Sequence, residues 1–302
     1  MNEQPDTAED HRPVVTHDDV VAGLKALGLP GVEVVVVHSS LSAFGWVAGG
    51  AQTVVAAVRS VVPTVIAPAF TYVARLPSPP EPHIPFNADT PATWKEFREA
   101  LSRTPVHRAD GPINRNMGAI AAAFAAEPDA SRSPAPICGF SGVGPRAPEI
   151  LAHGTADQPL AVLETAAEQG AWILLLGVGH WSNTTIHVAE NHEHRGGYTR
   201  FARVADDPRG WTAVRNVGGT SSGFPAIEPH LTGMQRETTI GAARCLTVPA
   251  ADTIRVAREL IRRDPAALLT PEDRAPGGRA SDAIAKRQAY LRSLPSTVQE
   301  SD

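Results

Sequence analysis

The chain has 302 residues, 42% of them hydrophobic, and a formal net charge of −5. This length fits one large α/β domain or about two smaller ones, and the composition is typical of a globular protein. The negative charge argues against binding nucleic acid through a general basic field, and no apolar run approaches the ~20 residues of a membrane span. The first residues carry no apolar signal core, so we expect a cytoplasmic protein.

The first elements in chain order predict a βαβ unit. Residues 1–15 are expected to form a disordered arm, and Thr16 can cap a helix that runs through Leu27. Residues 34–37 and 64–70 are apolar runs that predict strands, with a helix over 52–61 between them. Because the first run is continuously β-branched, it indicates a strand buried on both faces and therefore a parallel sheet.

The rest of the chain predicts further helices and strands in alternation. A proline-rich excursion over 76–91 can act as a lid, and 172–178 is the most apolar strand in the sequence. A helix should follow to about Glu193, then a hairpin over 201–217. Further helices are predicted over 93–101, 117–126, 145–152, 160–167, 238–243 and 250–262. Residues 266–302 are polar, and we expect them to be loosely attached.

The loop after the first predicted strand contains hydroxyls and adjacent glycines. Ser39 and Ser40 stand at the strand end, and Gly49 and Gly50 immediately precede a helix, where backbone N–H groups are free. Such a helix N-terminus favours a phosphate or pyrophosphate, although an ordinary turn would use the same residues. The sequence contains neither a P-loop nor a dinucleotide-binding glycine motif, which disfavours an NTPase and a Rossmann enzyme.

A second polar segment follows the strand over 172–178. His180 lies at the strand end, and Asn183, His187, Glu190 and His194 fall along one side of the helix that follows. A strand-end histidine beside a carboxylate can transfer protons. A structural histidine with a solvated helix face is the alternative. A metal site is a third reading, but no familiar ligand frame is present, so we expect no metal.

Five segments resemble blocks of the aminoglycoside 3-N-acetyltransferase family. They are VVVVHSSLSAFGWVAGGAQTVVAAV (34–58), VIAPAFTY (65–72), NRNMGAIAAAF (114–124), WILLLGVGHWSNTTIHVAE (172–190) and TTIGAARC (238–245). The resemblance implies a three-layer α/β/α sandwich with a mostly parallel central sheet, distinct from the GNAT fold. It covers 16–265 as the acyltransferase domain and leaves 266–302 as a polar C-terminal extension.

The resemblance also implies a reaction and its site residues. Acetyl-CoA would acylate the 3-amino group of a deoxystreptamine antibiotic by direct transfer, with His180 as general base and Glu190 beside it. A serine acyl-enzyme is disfavoured because no nucleophile-elbow motif is present. The residues implied for coenzyme A are Ser39, Ser40, Leu41, Ser42, Gly49, Gly50, Thr71, Arg115, Met117, Gly118 and Ser133. Those implied for the amine substrate are Trp181, Asn183, Thr184 and His187.

The sequence also departs from the family at polar positions. Trp181 stands where resistance enzymes typically have Asp, and Ala135 and Gly139 replace a His and a Ser. An Ala also precedes Phe124, where a Glu is common. Trp181 can stack on a sugar, fill the pocket, or pack in the core while Glu193 or Glu228 supplies the charge. The acceptor is therefore expected to be an aminoglycoside within a narrow range, or a less cationic biosynthetic amine.

Two other classes of function remain open from sequence. One is a metal-dependent hydrolase using His180, His187 and His192, and the other is a non-catalytic protein that sequesters coenzyme A or an antibiotic. The partner in every case is a small molecule, and the chain is expected to be a monomer or a homodimer. Cys138 and Cys245 are too few for a disulfide framework.

Overall fold

The structure, a computed structural model, describes residues 14–84, 86, 87 and 89–293. Of the predicted N-terminal arm, Val14–Val15 forms a short strand (β1) that pairs in parallel with Trp46–Val47 (β3). The remainder of the arm, 1–13, lies outside the described residues, as do 294–302. These two valines therefore belong to the folded domain rather than to an arm.

The centre of the molecule is a seven-stranded sheet in the order β11-β12-β8-β2-β4-β7-β6. Its three middle strands, β8, β2 and β4, are parallel, and antiparallel strands flank them on both sides. The strands of this sheet are β2 Val34–Ser39, β4 Thr64–Pro68, β6 Ser131–Arg132, β7 Phe140–Val143, β8 Trp172–Leu176, β11 Arg236–Ile240 and β12 Ala243–Pro249.

Helices cover both faces of this sheet. Alternate residues of β2 point to opposite sides, so Val34 and Val36 pack in one core and Val35 and Val37 in the other. The helices are α1 His17–Ala26, α2 Ala51–Val61, α3 Trp94–Arg103, α4 Gly118–Ala125, α5 Ala147–Ala152, α6 Ala161–Glu168, α7 Ile186–His192, α8 Ala250–Arg263, α9 Pro271–Arg274 and α10 Arg279–Ser293. Helices α1, α2 and α4 share one core and α5 to α8 the other, which confirms the expected three-layer α/β/α arrangement.

A smaller sheet stands beside the main one. It comprises β5 Arg75–Leu76, β9 Tyr198–Arg203 and β10 Trp211–Val217, with β9 and β10 forming the predicted hairpin. Its apolar side packs with α3 through Phe97, Phe201 and Trp211, whose rings meet edge to face at centroid distances of 5.3 and 5.6 Å. The other end of β10 is Val217, and the two glycines that follow it lie with Val217 at the candidate site.

The helix predicted over 238–243 is wrong, because these residues form the β11–β12 hairpin. Ile240 pairs with Ala243 across a two-residue turn, and Gly241 at its first position has φ +59°. Primed hairpin turns require this positive φ. The β-branched residues Thr238, Thr239 and Ile240 favour the extended backbone over the helix.

Part of the predicted C-terminal extension packs onto the domain. Ala280 and Ile284 of α10 are buried with Leu269. Arg287 donates from Nη1 to the carbonyl of Gly197 at 3.1 Å, and its guanidinium lies 5.1 Å from the ring of Phe86. Across the described ranges, no helix is both long and apolar enough to cross a membrane.

Candidate active site

A cleft of about 1210 Å³ opens at the carboxyl ends of β2, β4 and β8. Open α/β sheets bind ligands at this edge because the loops that leave the parallel strands converge there. The loop after β2 forms one wall of the cleft. The end of the small sheet closes another side. Further walls come from residues 116–119 and from Val178, Trp181, Ser182, Thr184 and His187.

The loop after β2 places most of the residues predicted for coenzyme A on the cleft. The members that line it are Ser39, Ser40, Leu41, Ser42, Gly49 and Gly50. Gly50 is the N-cap of α2 with φ +63°, a left-handed conformation that favours glycine, and no side chain caps this helix. The first-turn amides of α2 therefore have no side-chain cap, and uncapped amides of this kind can bind an anion.

The other predicted coenzyme A residues divide into two groups. Met117 and Gly118 line the cleft, whereas Arg115 does not. Thr71 and Ser133 line a separate small cavity of about 10 Å³, and Ser133 Oγ accepts the Phe140 amide at 2.8 Å. Thr71 and Ser133 thus lie away from the surface that the loop after β2 presents.

His180 is buried away from the cleft. It sits in a short 3-10 helix, His180–Ser182, and is only 1% exposed. Its Nε2 lies 2.7 Å from Gln235 Oε1, and its Nδ1 lies 3.2 Å from Asn183 Nδ2. These two side-chain amides occupy both ring nitrogens, and Asn183 is itself buried rather than on the cleft. Burial lowers the pKa of His180, although the Gln235 hydrogen bond opposes that effect.

His187, predicted as a substrate contact, is the histidine of this segment that faces the cleft. It lies in the first turn of α7, is 7% exposed, and places Nδ1 2.5 Å from Glu190 Oε2 one turn later. Its ring packs edge-on to Phe224 at 4.8 Å and directly against Gly218. A Cβ at Gly218 would lie 2.6 Å from Nε2, so the position requires glycine.

Glu190 is buried behind His187 and paired with a second cation. Arg195 Nε donates to Glu190 Oε1 at 3.0 Å, and Nη2 does so at 2.5 Å. Burial alone would raise the pKa of Glu190, but His187 and Arg195 outweigh it, and the net effect lowers that pKa. An ionised Glu190 can accept a hydrogen bond from Nδ1–H, which keeps the Nε2 lone pair free, and a histidine–carboxylate pair of this kind can act as a general base.

Trp181 lines the cleft and is 54% exposed, so the core-packing alternative for this residue is wrong. Thr184, predicted as a substrate contact, also lines the cleft. The acids proposed to replace a lost carboxylate lie elsewhere and are paired with arginines. Glu193 accepts from Arg258 at 2.7 Å and from Arg262, and Glu228 accepts from Arg244.

The charge of the cleft was not foreseen from sequence. Among the described residues, no Asp or Glu lines the cleft, whereas Arg75 and Arg200 both line it. Tyr72 and a 68% exposed Trp46 line it as well. No sequence signal marked Arg75 or Arg200, because they lie in strands of the small sheet outside every motif.

Two further groups at the cleft are neutral. His38 is buried at the end of β2, and burial lowers its pKa to about 4. Burial raises the pKa of the Cys138 thiol to about 12, so it stays protonated and is not a nucleophile. Cys138 and Cys245 are both free.

The histidines of the metal-hydrolase alternative do not converge. His180 bonds to two amides, His187 to Glu190, and His192 Nε2 lies 2.6 Å from Glu164 Oε1. Within 14–84, 86, 87 and 89–293, no group of three or more His, Cys, Asp or Glu side chains could hold a metal ion.

Comparison with known proteins places the chain in a family. The family model described as aminoglycoside 3-N-acetyltransferase matches residues 36–262. Aminoglycoside N(3)-acetyltransferase VIII of Streptomyces fradiae is 31% identical over 82% of this chain and 92% of its own length. The crystal structure of YokD from Bacillus subtilis has a TM-score of 0.71 at 24% identity, covering 83% of this chain and 95% of that one.

A solved complex of AAC-IIIb with CoASH shares the fold, with a TM-score of 0.66 at 24% identity over 83% of this chain and 97% of that one. The family model covers most of the chain and agrees with the motifs of the sequence and with the fold. The chain therefore belongs to the aminoglycoside 3-N-acetyltransferase family and is an acyltransferase.

Proposed function

We propose that this protein transfers an acetyl group from acetyl-CoA to an amine of a small molecule, with His187 as the general base. The observation that carries the proposal is the buried Glu190, which orients His187 and leaves Nε2 on the cleft. This moves the base from His180, whose two nitrogens are held by Gln235 and Asn183.

The reaction follows from the position of His187. Nε2 takes a proton from the attacking amine, a C–N bond forms at the thioester carbonyl, and the C–S bond then breaks. The imidazolium is stabilised by Glu190 and returns its proton to the leaving thiolate. Backbone N–H groups of the 39–42 loop are candidates to hold the developing oxyanion. No covalent enzyme intermediate is required, because both substrates occupy one cleft.

The donor end of the cleft is assigned to the loop after β2. An 11-residue helix, α2, begins there with a glycine N-cap, so its dipole and free amides favour the pyrophosphate of coenzyme A. The neighbouring Ser40 and Ser42 hydroxyls lie 3.1 Å apart and supply further hydrogen-bond groups. A structural relative bound to CoASH supports a coenzyme A site in this fold.

The acceptor amine belongs to one of two classes. The first is the 3-amino group of an aminoglycoside, which is the acceptor that the names of the relatives indicate. The cleft of this chain favours a less cationic amine, because a polyamine needs carboxylates and none lines the described part of the cleft. Trp181, which stands where an Asp is typical, adds a planar ring rather than a charge.

Thermal unfolding in the presence of acetyl-CoA, ATP or NAD tests which of these nucleotides the protein binds. Acetyl-CoA should raise the Tm through preferential binding to the folded state, whereas ATP and NAD should not. Equal stabilisation by ATP would contradict the donor assignment. Release of coenzyme A is then measured with a panel of aminoglycosides and smaller amines. A protein that binds acetyl-CoA but releases no coenzyme A with any amine would be a sequestering protein.

A further inference from the structure

We infer that Arg75 and Arg200 form an anion subsite that binds a carboxylate or phosphate group of the acceptor. This inference rests on the proposed function and narrows its acceptor to amines that carry a negative charge. The cleft has an excess of positive charge, because both arginines line it and no carboxylate of the described residues lines it with them.

Arg200 is held in place through one end of its guanidinium. Nη1 donates to Asn87 Oδ1 at 3.0 Å and to the carbonyl of Thr199 at 3.1 Å, and the guanidinium stacks on Tyr198 at 5.2 Å. Within the described residues, neither Nε nor Nη2 donates to a protein acceptor. A guanidinium fixed at one nitrogen and open along its other edge is preorganised to bind a carboxylate or phosphate.

Arg75 supplies the second charge on an exposed strand position. Its guanidinium makes no hydrogen bond or ion pair with another residue of the described ranges. Burial lowers the pKa of Arg200, and the Arg75 charge lowers it further, so the two cations repel each other. The Asp89 carboxylate attracts Arg200 and offsets part of this repulsion, and its Oδ2 also accepts hydrogen bonds from Ser78 and Asn87. An anion between the arginines would offset this repulsion.

The position of the pair assigns it to the acceptor rather than to the donor. His187 packs on Gly218, and a Cβ at the next residue, Gly219, would lie 2.3 Å from the Tyr198 ring. Arg200 stacks on that same ring. One wall thus runs from the proposed base to Arg200, whereas the amides assigned to the coenzyme A pyrophosphate belong to the loop after β2. An amine at His187 would extend its anionic end along the first wall.

The test compares Arg75→Gln with the wild type and with Arg98→Gln. Arg98 is an exposed arginine of α3 that does not line the cleft, so it controls for the loss of one surface charge. The probes are 4-aminobutanoate, 4-aminobutanamide and 1,4-diaminobutane, which present an anionic, a neutral and a cationic end on similar frames. Thermal shifts are measured with saturating coenzyme A at constant ionic strength, and kcat/KM is measured by coenzyme A release.

We expect 4-aminobutanoate to raise the Tm of the wild type and of Arg98→Gln above the effect of the other two probes. Arg75→Gln should lose this shift, and its kcat/KM for 4-aminobutanoate should fall about 10- to 100-fold, the loss typical of a charge-assisted hydrogen bond. Its kcat/KM for 4-aminobutanamide and its shift with coenzyme A alone should stay unchanged.

Three results would overturn the anion subsite. The first is a wild type that shows no preference for 4-aminobutanoate over the other two probes. The second is a Tm shift with 4-aminobutanoate that is as large in Arg75→Gln as in the wild type. The third is weaker binding of coenzyme A to Arg75→Gln with an unchanged preference among the amines. The last result would assign the arginines to donor phosphates. Failure of the proposed function has a different signature, namely no coenzyme A release with any amine. In that case the thermal shift still measures the anion subsite.

Discussion

His180 and His187 stand seven residues apart in one segment, yet their surroundings differ in charge and in access. His180 meets two neutral amides, from Gln235 and Asn183, and is closed off from the cleft. His187 meets the carboxylate of Glu190 and turns its other nitrogen toward the cleft. Both rings are buried, so burial alone does not distinguish them.

The groups bonded to each ring decide which of the two histidines can act as a base. An amide satisfies a ring nitrogen but brings no negative charge, so the protonated ring would remain unfavourable in a buried place. A carboxylate stabilises the imidazolium that forms when the ring takes a proton. The carboxylate in turn needs a partner, which Arg195 provides. Residues around each histidine therefore decide its chemistry more than its position at a strand end.

Replacing His187 should have the largest effect on the reaction. We expect His187→Ala to lower kcat about 10²- to 10⁴-fold, because the amine loses its general base. The Tm shift with acetyl-CoA should survive, since the donor loop does not depend on this ring. His153→Ala, at an exposed histidine outside the cleft, is the matched control. A kcat near that of the wild type in His187→Ala would remove this residue from the mechanism.

Replacing Glu190 should have the next largest effect. Glu190→Gln keeps the side-chain shape but removes the charge that stabilises the His187 imidazolium, so kcat should fall about 10- to 100-fold. Arg195 would remain as a buried cation without a carboxylate, which we expect to lower the free energy of unfolding by about 3–5 kcal/mol. Stopped-time activity assays and urea unfolding at pH 7 measure the two effects separately.

The pH dependence gives Glu190→Gln a second readout. Because the pKa of Glu190 is below its ordinary value, its contribution to stability is present above the unfolded pKa and is lost as pH falls through the folded one. The stability difference between the wild type and Glu190→Gln should therefore shrink below about pH 4.5. A difference that is constant from pH 7 to the acid range would show that Glu190 acts through packing alone.

The fold was predictable where a local pattern and burial agree. The continuous valines of β2 and the apolar run of β8 predicted the parallel centre of the sheet, and the N-cap at Thr16 predicted α1. The helix predicted over 238–243 is wrong although the contrary signal is local, since Thr238, Thr239 and Ile240 are β-branched and Gly241 lies in the two-residue turn to β12. The polar composition of 266–302 conceals α10, because a few apolar residues of that segment, Leu269, Ala280 and Ile284, pack together.

The site was predictable as a set of loops but not as a set of roles. Both loops do line the cleft, because the carboxyl ends of the central parallel strands meet there. The choice between His180 and His187 depends on Gln235, a residue 55 positions away from His180, which no pattern in the segment indicates. Arg75 and Arg200 reach the cleft through a separate sheet, so sequence spacing could not bring them together.

Replacing His180 should have the smallest effect on the reaction and a measurable one on stability. His180→Ala leaves the buried Asn183 amide and the half-buried Gln235 amide without their shared partner, which costs about 1–3 kcal/mol in the free energy of unfolding. We expect kcat to change no more than in the exposed control, His153→Ala, because His180 does not reach the cleft.

The sign of the His180 pH dependence follows from its lowered pKa. The unfolded chain binds the proton more readily, so the stability contributed by neutral His180 is present above about pH 6.5 and is lost as pH falls toward the folded pKa. The stability difference between the wild type and His180→Ala should therefore be larger at pH 8 than at pH 5, as measured by urea unfolding. If kcat instead falls by 10²-fold or more in a variant that is folded and still binds acetyl-CoA, His180 takes part in catalysis. The contrast drawn between the two histidines would then be wrong.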